Sequence, residues 1–234
     1  MTLDARRHRL WQAMGLGPVW QQRNPSAAAS GSEAAEPRAE RIARLGWDDL
    51  AAEAARCRAC PLGETRRQAV FGVGHRHAEW MLVGEAPGAE EDARGEPFVG
   101  QAGKLLDNML ASIGLTREGE TPQSVFIANV LKCRPPNNRN PEPAEVAQCQ
   151  PFLHRQVELV NPKLVVVMGR FAAQALLGTD ASIASLRGQV HRIEVAGRRV
   201  PVVVTYHPAY LLRNMTDKAK AWADLCLARS CLRG

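Results

Sequence analysis

The sequence lacks any apolar run of the roughly 18 residues that a membrane-crossing helix requires. Its start, MTLDARRHRLWQAMG, has no apolar h-region and no small-residue cleavage pattern. It does not read as a secretory signal, so a cytoplasmic protein with no membrane partner is expected. No internal repeat is visible, which argues against a stacked-repeat architecture. Cysteine is scarce: six residues, at 57, 60, 133, 149, 226 and 231. In a cytosolic chain such thiols are metal ligands or inert core groups more often than disulfides. Acidic side chains are also short, 24 against 30 Lys and Arg, for a net charge of +6. That balance suits a polyanionic partner, because cations that neutralise phosphates release condensed counterions. Basic chains that bind no nucleic acid have the same balance, so charge alone does not decide. Hydrophobic residues, at 45% of 234, can build the core of one α/β domain with extra segments.

The chain divides unevenly. Arg9 to Gln22, RLWQAMGLGPVWQQ, carries Leu10, Trp11, Met14, Leu16, Val19 and Trp20, with Gly15, Gly17 and Pro18 breaking any long helix. The following NPSAAASGSEAAEPRAE has no large apolar residue and reads as a flexible linker. Residues 1–40 are therefore expected to be an extension, with residues 9–22 a tethered docking peptide for a protein partner. An edge element packed on the domain is the competing reading. Residues 41–234 form the domain, expected as a monomer.

Within it, helices are predicted from about Arg38 to Ala55, over Ala102–Ile113, Pro143–Val160 and Gly169–Leu177, and from about Asn214 to Leu232. Strands are predicted over Trp80–Val83, Val125–Leu131 and Lys163–Met168, with a hairpin in Val190–Val204 turning at AGRR. Strands alternating with helices imply an α/β fold with a mainly parallel sheet. Ligands of such sheets sit beyond the carboxyl ends of the strands. The loops after Val83, Leu131 and Val204 should therefore share one rim.

Each of those loops carries unusual chemistry. GEAPG, Gly84 to Gly88, is a turn that lets backbone approach a ligand and offers free N–H groups; alone it is an ordinary βα turn. Asn129 opens NVLKCRPPNNRNP. Its amide can accept from an N3–H and donate to an O4, the edge of uracil, and it mismatches cytosine. Arg134, Asn137, Asn138 and Arg139 are of the types that grip phosphate. In TYHPAYLLR, His207 is the candidate catalytic histidine. Leu211 and Leu212 are candidate wedges for a duplex, although such pairs are usually core, and Arg213 is a candidate DNA contact. Cys57 and Cys60 form C-x-x-C, and fifteen residues separate Cys133 from Cys149. Four thiolates suit zinc or a [4Fe–4S] cluster, and spacing does not choose between them. Cys226 and Cys231 read as bystanders.

The combination of CxxCPLGETR at 57–66, GEAPG, GEPFVGQAGKLLD at 95–107, NVLKCRPPNNRNP at 129–141 and HPAYLLR at 207–213 resembles the family 4, iron–sulfur-containing uracil-DNA glycosylases. The resemblance covers roughly residues 45 to 232. It implies a three-layer α/β/α fold with a short, mainly parallel sheet, and a [4Fe–4S] cluster on Cys57, Cys60, Cys133 and Cys149. It implies a uracil pocket of Gly84, Glu85, Ala86, Phe98, Asn129 and His207, with Phe98 stacked on the flipped base. The partner is then uracil-containing DNA, single- or double-stranded, and the reaction is hydrolysis of the N-glycosidic bond. Asn129 and His207 are expected in catalysis. Position 86 is Ala where related branches carry a water-orienting Asp or Asn, so Glu85 is the candidate water activator. Lys104 and Lys132 are weak candidates for a Schiff base. A glycosylase with a broader deaminated-base preference, a non-catalytic cluster-bearing DNA-binding module and a zinc domain are the rivals.

Overall fold

The computed structural model describes residues 5–15, 36–119 and 123–232. The chain separates into residues 1–37 and residues 38–234. The first unit contains one described helix, α1 (Ala5–Ala13), on which Leu10 and Trp11 are exposed, as is Met14 just beyond it. Residues 16–22 of the expected docking peptide and residues 24–35 of the expected linker lie outside the described residues.

The second unit runs α2 (Arg38–Arg44), α3 (Trp47–Arg56), α4 (Leu62–Thr65), β1 (Val73–Gly74), β2 (Trp80–Gly84), α5 (Ala89–Arg94), α6 (Gln101–Ser112), β3 (Val125–Asn129), α7 (Pro143–Val160), β4 (Leu164–Met168), α8 (Arg170–Leu177), α9 (Ile183–Leu186), β5 (Val190–Val195), β6 (Arg198–Thr205), α10 (Pro208–Arg213) and α11 (Lys218–Ser230). The sheet order is β1-β3-β2-β4-β6-β5. The four central strands are parallel, and the edge strands β1 and β5 are antiparallel to their neighbours.

Side-chain alternation along the strands makes the three layers. Met81, Val83, Val165 and Val167 pack with Leu153 and Val157 of α7 and Ala173 of α8. Trp80, Leu82, Val166 and Met168 pack on the other face with Leu106 and Leu110 of α6 and Leu225 of α11. A third cluster joins Ile42, Leu50, Leu62 and Phe152 to Cys133 and Cys149. It forms a lobe against α7, which contributes Cys149 and Phe152.

Several elements differ from the sequence reading. The helix expected from Arg38 to Ala55 is two helices, because Gly46 takes an extended conformation as the N-cap of α3. Helix α2 already begins at Arg38, earlier than the boundary expected after residue 40. The final helix, expected from about Asn214, begins at Lys218 after a 3-10 turn at Met215–Asp217, and α10 before it is a helix that the sequence reading did not include. The hairpin turns at Ala196 and Gly197, both at positive φ of 48° and 74°, the geometry whose twist matches paired strands. The short elements α4, α5, α9 and β1 leave no periodicity long enough to read.

Candidate active site

The parallel register puts the functional loops on one rim. Gly84 is the register partner of Asn129, and Met168 that of Thr205. Beyond these strand ends lies a cleft of about 420 Å³ lined by Glu85, Ala86, Pro87, Gly88, Glu91, Phe98, Asn129, Asn138, Arg139, His207, Tyr210 and Arg213, among others.

Asn129 is 2% exposed, and its Oδ1 is a buried acceptor without a hydrogen-bond partner. Such an orphan is costly unless a ligand satisfies it. Gly84 stands against it: a Cβ there would clash with Asn129 Oδ1 and lie 2.7 Å from the Phe98 ring. Phe98 is buried, at an unusual positive φ of 55°. A Cβ at Gly103 would strike the Phe98 carbonyl, so α6 can pass under the Phe98 turn only with glycine there.

His207 caps α10, its Nδ1 accepting from the Ala209 N–H at 3.1 Å. That bond assigns the proton of a neutral ring to Nε2. Burial pushes its pKa down to about 4, against a smaller upward pull from Glu91, so the ring is neutral near pH 7. Phe98 and His207 are stacked with centroids 5.4 Å apart. Glu85 is half-buried, and desolvation raises its carboxyl pKa while the Arg170 charge opposes the rise.

The sequence reading missed Glu91. Its carboxylate accepts from the Gly88, Val99 and Gly100 N–H groups at 3.0–3.2 Å. It thereby ties the GEAPG turn to the turn carrying Phe98. The available signal was an acid at the third position of a helix following a glycine N-cap. Tyr210, which donates to Asp217 at 2.7 Å, was also missed.

Of the phosphate-gripping candidates, Asn138, Arg139 and Arg213 line the cleft, and Arg134 donates to Asn138 Oδ1 at 2.7 Å. Arg139 is held by both oxygens of the buried Glu145 at 2.6 and 2.9 Å. One expectation is corrected. Leu211 is 1% exposed and packed with Tyr206 and Ala221, so it cannot reach a duplex, whereas Leu212 is 42% exposed. Adjacent helical residues point about 100° apart, which sends one leucine inward and the other out. Lys104 is exposed and Lys132 is sealed inside the fold, and neither lines the cleft.

Cys57, Cys60, Cys133 and Cys149 line one small cavity together with Arg66 and Lys132. Cys57 ends α3, Cys133 follows β3, and Cys149 lies on α7. Three of the sulfurs receive donors: Arg38 to Cys57 at 3.3 Å, Arg66 to Cys133 at 2.8 Å, and the Lys132 N–H to Cys149 at 3.2 Å. Donors aimed at sulfur suit thiolates rather than thiols. Among the described residues no three His, Cys, Asp or Glu side chains converge as a single metal ion requires. Four cysteine sulfurs around one cavity, three of them receiving donors, are a donor set that fits an iron–sulfur cluster. Cys226 is exposed and Cys231 donates to the Leu227 carbonyl, both outside this group.

Residues 71–226 match the model of the uracil DNA glycosylase superfamily. The chain is 50% identical over 169 residues to a type-4 uracil-DNA glycosylase of Archaeoglobus fulgidus, covering 70% of this chain and 82% of that protein. It is 43% identical to the type-4 enzyme of Saccharolobus solfataricus over 71% of this chain and 77% of the relative. It is 45% identical to that of Sulfurisphaera tokodaii over 68% and 72%. With the layered sheet, the rim cleft and these matches, the chain belongs to the type-4 branch of the uracil DNA glycosylase superfamily.

Proposed function

We infer that this chain removes uracil from DNA by hydrolysing the N-glycosidic bond of deoxyuridine, leaving an abasic site for repair. The observation that carries this reading is the unpartnered Asn129 Oδ1 buried in a cleft walled by Phe98 and His207. The type-4 relatives support it. The substrate is uracil-containing DNA, single- or double-stranded. Contacts to the DNA backbone are assigned to Asn138, Arg139 and Arg213, which line the cleft, and to Arg134, which bonds Asn138, and the wedge to Leu212 in place of Leu211. Among the described residues no helix is long and apolar enough to cross a membrane.

Extruding the nucleotide costs a few kcal/mol, which contacts inside the cleft must offset. Phe98 offers a stacking face. Asn129 Oδ1 accepts from uracil N3–H while its amide donates to O4. Cytosine presents an acceptor at N3 and would leave the Asn129 oxygen unsatisfied, a mismatch that supports strong discrimination. As the bond to the sugar lengthens, positive charge builds on the sugar and negative charge on the departing base. The neutral His207 imidazole donates through Nε2–H to that base, joined by backbone N–H groups of the Gly84 turn. Glu85, with Ala86 beside it, is the residue assigned to hold the attacking water.

Cys57, Cys60, Cys133 and Cys149 would hold a [4Fe–4S] cluster. When bound it supplies a cross-link between the α3 end, the loop after Asn129 and α7. The chain's own residues carry every step at the base.

The test is a uracil-containing oligonucleotide incubated with protein and then treated with alkali. Strand scission only after alkali is expected, with free uracil released. Scission before alkali would mean a lyase, and equal release of hypoxanthine or mismatched thymine would mean a broader glycosylase. No alkali-labile site at all would overturn the reading.

A further inference from the structure

Lys132 touches both the cysteine cavity and the backbone of Asn129, and its ammonium takes no part in the chemistry at the base. It is 1% exposed, among the largest fully buried side chains of the described residues. Its Nζ donates to the Asn129 carbonyl oxygen and to Gln156 Oε1, both at 2.6 Å. Its own N–H donates to Cys149 Sγ, and the residue lines the cavity of the four cysteines. Gln156 is itself fastened to the Phe71 carbonyl at 2.8 Å.

Two features make this more than packing. Both Nζ acceptors are neutral oxygens, and among the described residues Lys132 forms no ion pair with a carboxylate. A buried ammonium without a counter-charge is strongly disfavoured. The neighbouring groups that would become anionic, on carrying a cluster, are the sulfurs of Cys133 and Cys149. Second, the same ammonium holds the backbone of the residue whose amide faces the base, three positions away.

We propose that Lys132 is a positioning residue that serves as the buried counter-cation of the cluster and transmits its presence to Asn129. This rests on the cluster reading above. With the cluster in place, Lys132 is charge-compensated and pins the Asn129 carbonyl, so Oδ1 is held aimed at the base before substrate arrives. Pre-paid orientation of this kind strengthens binding and selectivity without any contact to the ligand. The cysteine lobe is thereby given a role in base recognition.

The experiment uses the intact chain purified without oxygen, as wild type, Lys132→Met and Lys132→Arg. Four quantities are read: iron per chain, the half-life of iron release to a chelator, the inhibition constant of free uracil, and kcat and KM on a uracil oligonucleotide. Lys132→Met is expected to release iron and to lose free-uracil affinity together, each by about tenfold, the size of one lost charge-assisted hydrogen bond. Lys132→Arg, which keeps the charge, is expected to restore the slow iron release. If Lys132→Met does not fold, Lys132→Gln, which keeps a donor without charge, is measured in its place with the same expectation. A folded, iron-loaded neutral variant with wild-type uracil inhibition overturns the proposal, as does faster iron release with unchanged uracil inhibition. Wild-type protein without iron would instead defeat the cluster reading itself.

Discussion

At the residue scale, the cleft is organised around one unsatisfied atom. Asn129 Oδ1 is buried without a partner, and Gly84 keeps open the space beside it. Asn129→Ala is expected to lower kcat/KM on uracil DNA by about a hundredfold, two hydrogen bonds at roughly 1.5 kcal/mol each. Steady-state kinetics check this, and a loss below about threefold would sink the role given to Asn129. His207 makes a pH prediction. Its pKa falls from 6.5 to about 4 on folding, chiefly through burial. The unfolded chain therefore binds more protons than the folded one between those values. This contribution to stability is fully present above pH 6.5, is lost as pH falls through the window, and levels off below about 4. Its ceiling is about 3 kcal/mol. Denaturant titrations at about pH 7 and about pH 5 should show a smaller pH loss in His207→Gln than in wild type. The lowered carboxyl pKa values of Glu53 and Glu145, held by arginines, add their own loss only below 4.5. Asn129, Phe98 and His207 were legible because each stands in a long motif. Glu91 was not, because its one sign was a place three residues after a glycine N-cap, and helix α5 is too short for its start to be read.

At the element scale, α10 turns one of two adjacent leucines into the core and the other to solvent. Leu211→Ala removes a buried side chain and should cost about 2–5 kcal/mol of stability. Leu212→Ala removes an exposed one and should change stability by less than about 0.5 kcal/mol. The second variant should lose activity on double-stranded more than on single-stranded substrate, since only a duplex must be opened. Equal losses on both would end the wedge assignment. Helix α5 gives a second test. Glu91→Ala leaves the Gly88, Val99 and Gly100 N–H groups without their acceptor and should cost about 1–3 kcal/mol with a fall in kcat/KM. A stability loss with wild-type kinetics would make Glu91 a fold residue alone. The long helices α6 and α7 and the apolar strands β2 and β4 were readable from periodicity. The break at Gly46 and the short helix α10 were not: one extended residue interrupts a pattern without erasing it, and six residues are too few to show a helical period.

At the scale of the whole molecule, the glycosylase unit carries an appended lobe whose four cysteines come from three separate segments. Cys133→Ala should remove iron, lower the thermal midpoint and weaken DNA binding together; a fully folded, active variant would contradict the cross-linking role. The start of the unit is also testable. Arg38 donates to Cys57 Sγ and to the Gln148 carbonyl, and lies over the Phe152 ring. A chain beginning at Arg38 should keep its iron and its kcat/KM, whereas one beginning at Ile42 should release iron faster. Equal iron release from both would make Arg38 dispensable.

The sequence by itself determined the alternation of strands and helices, the chemistry available at each strand end and the cysteine set. Those are properties of local pattern and residue type. Only the tertiary structure decided which leucine of α10 faces outward, which carboxylate ties the turns together, and that Lys132 joins the cysteine cavity to Asn129. Burial and long-range partners depend on how distant segments pack, and a linear pattern carries no record of that.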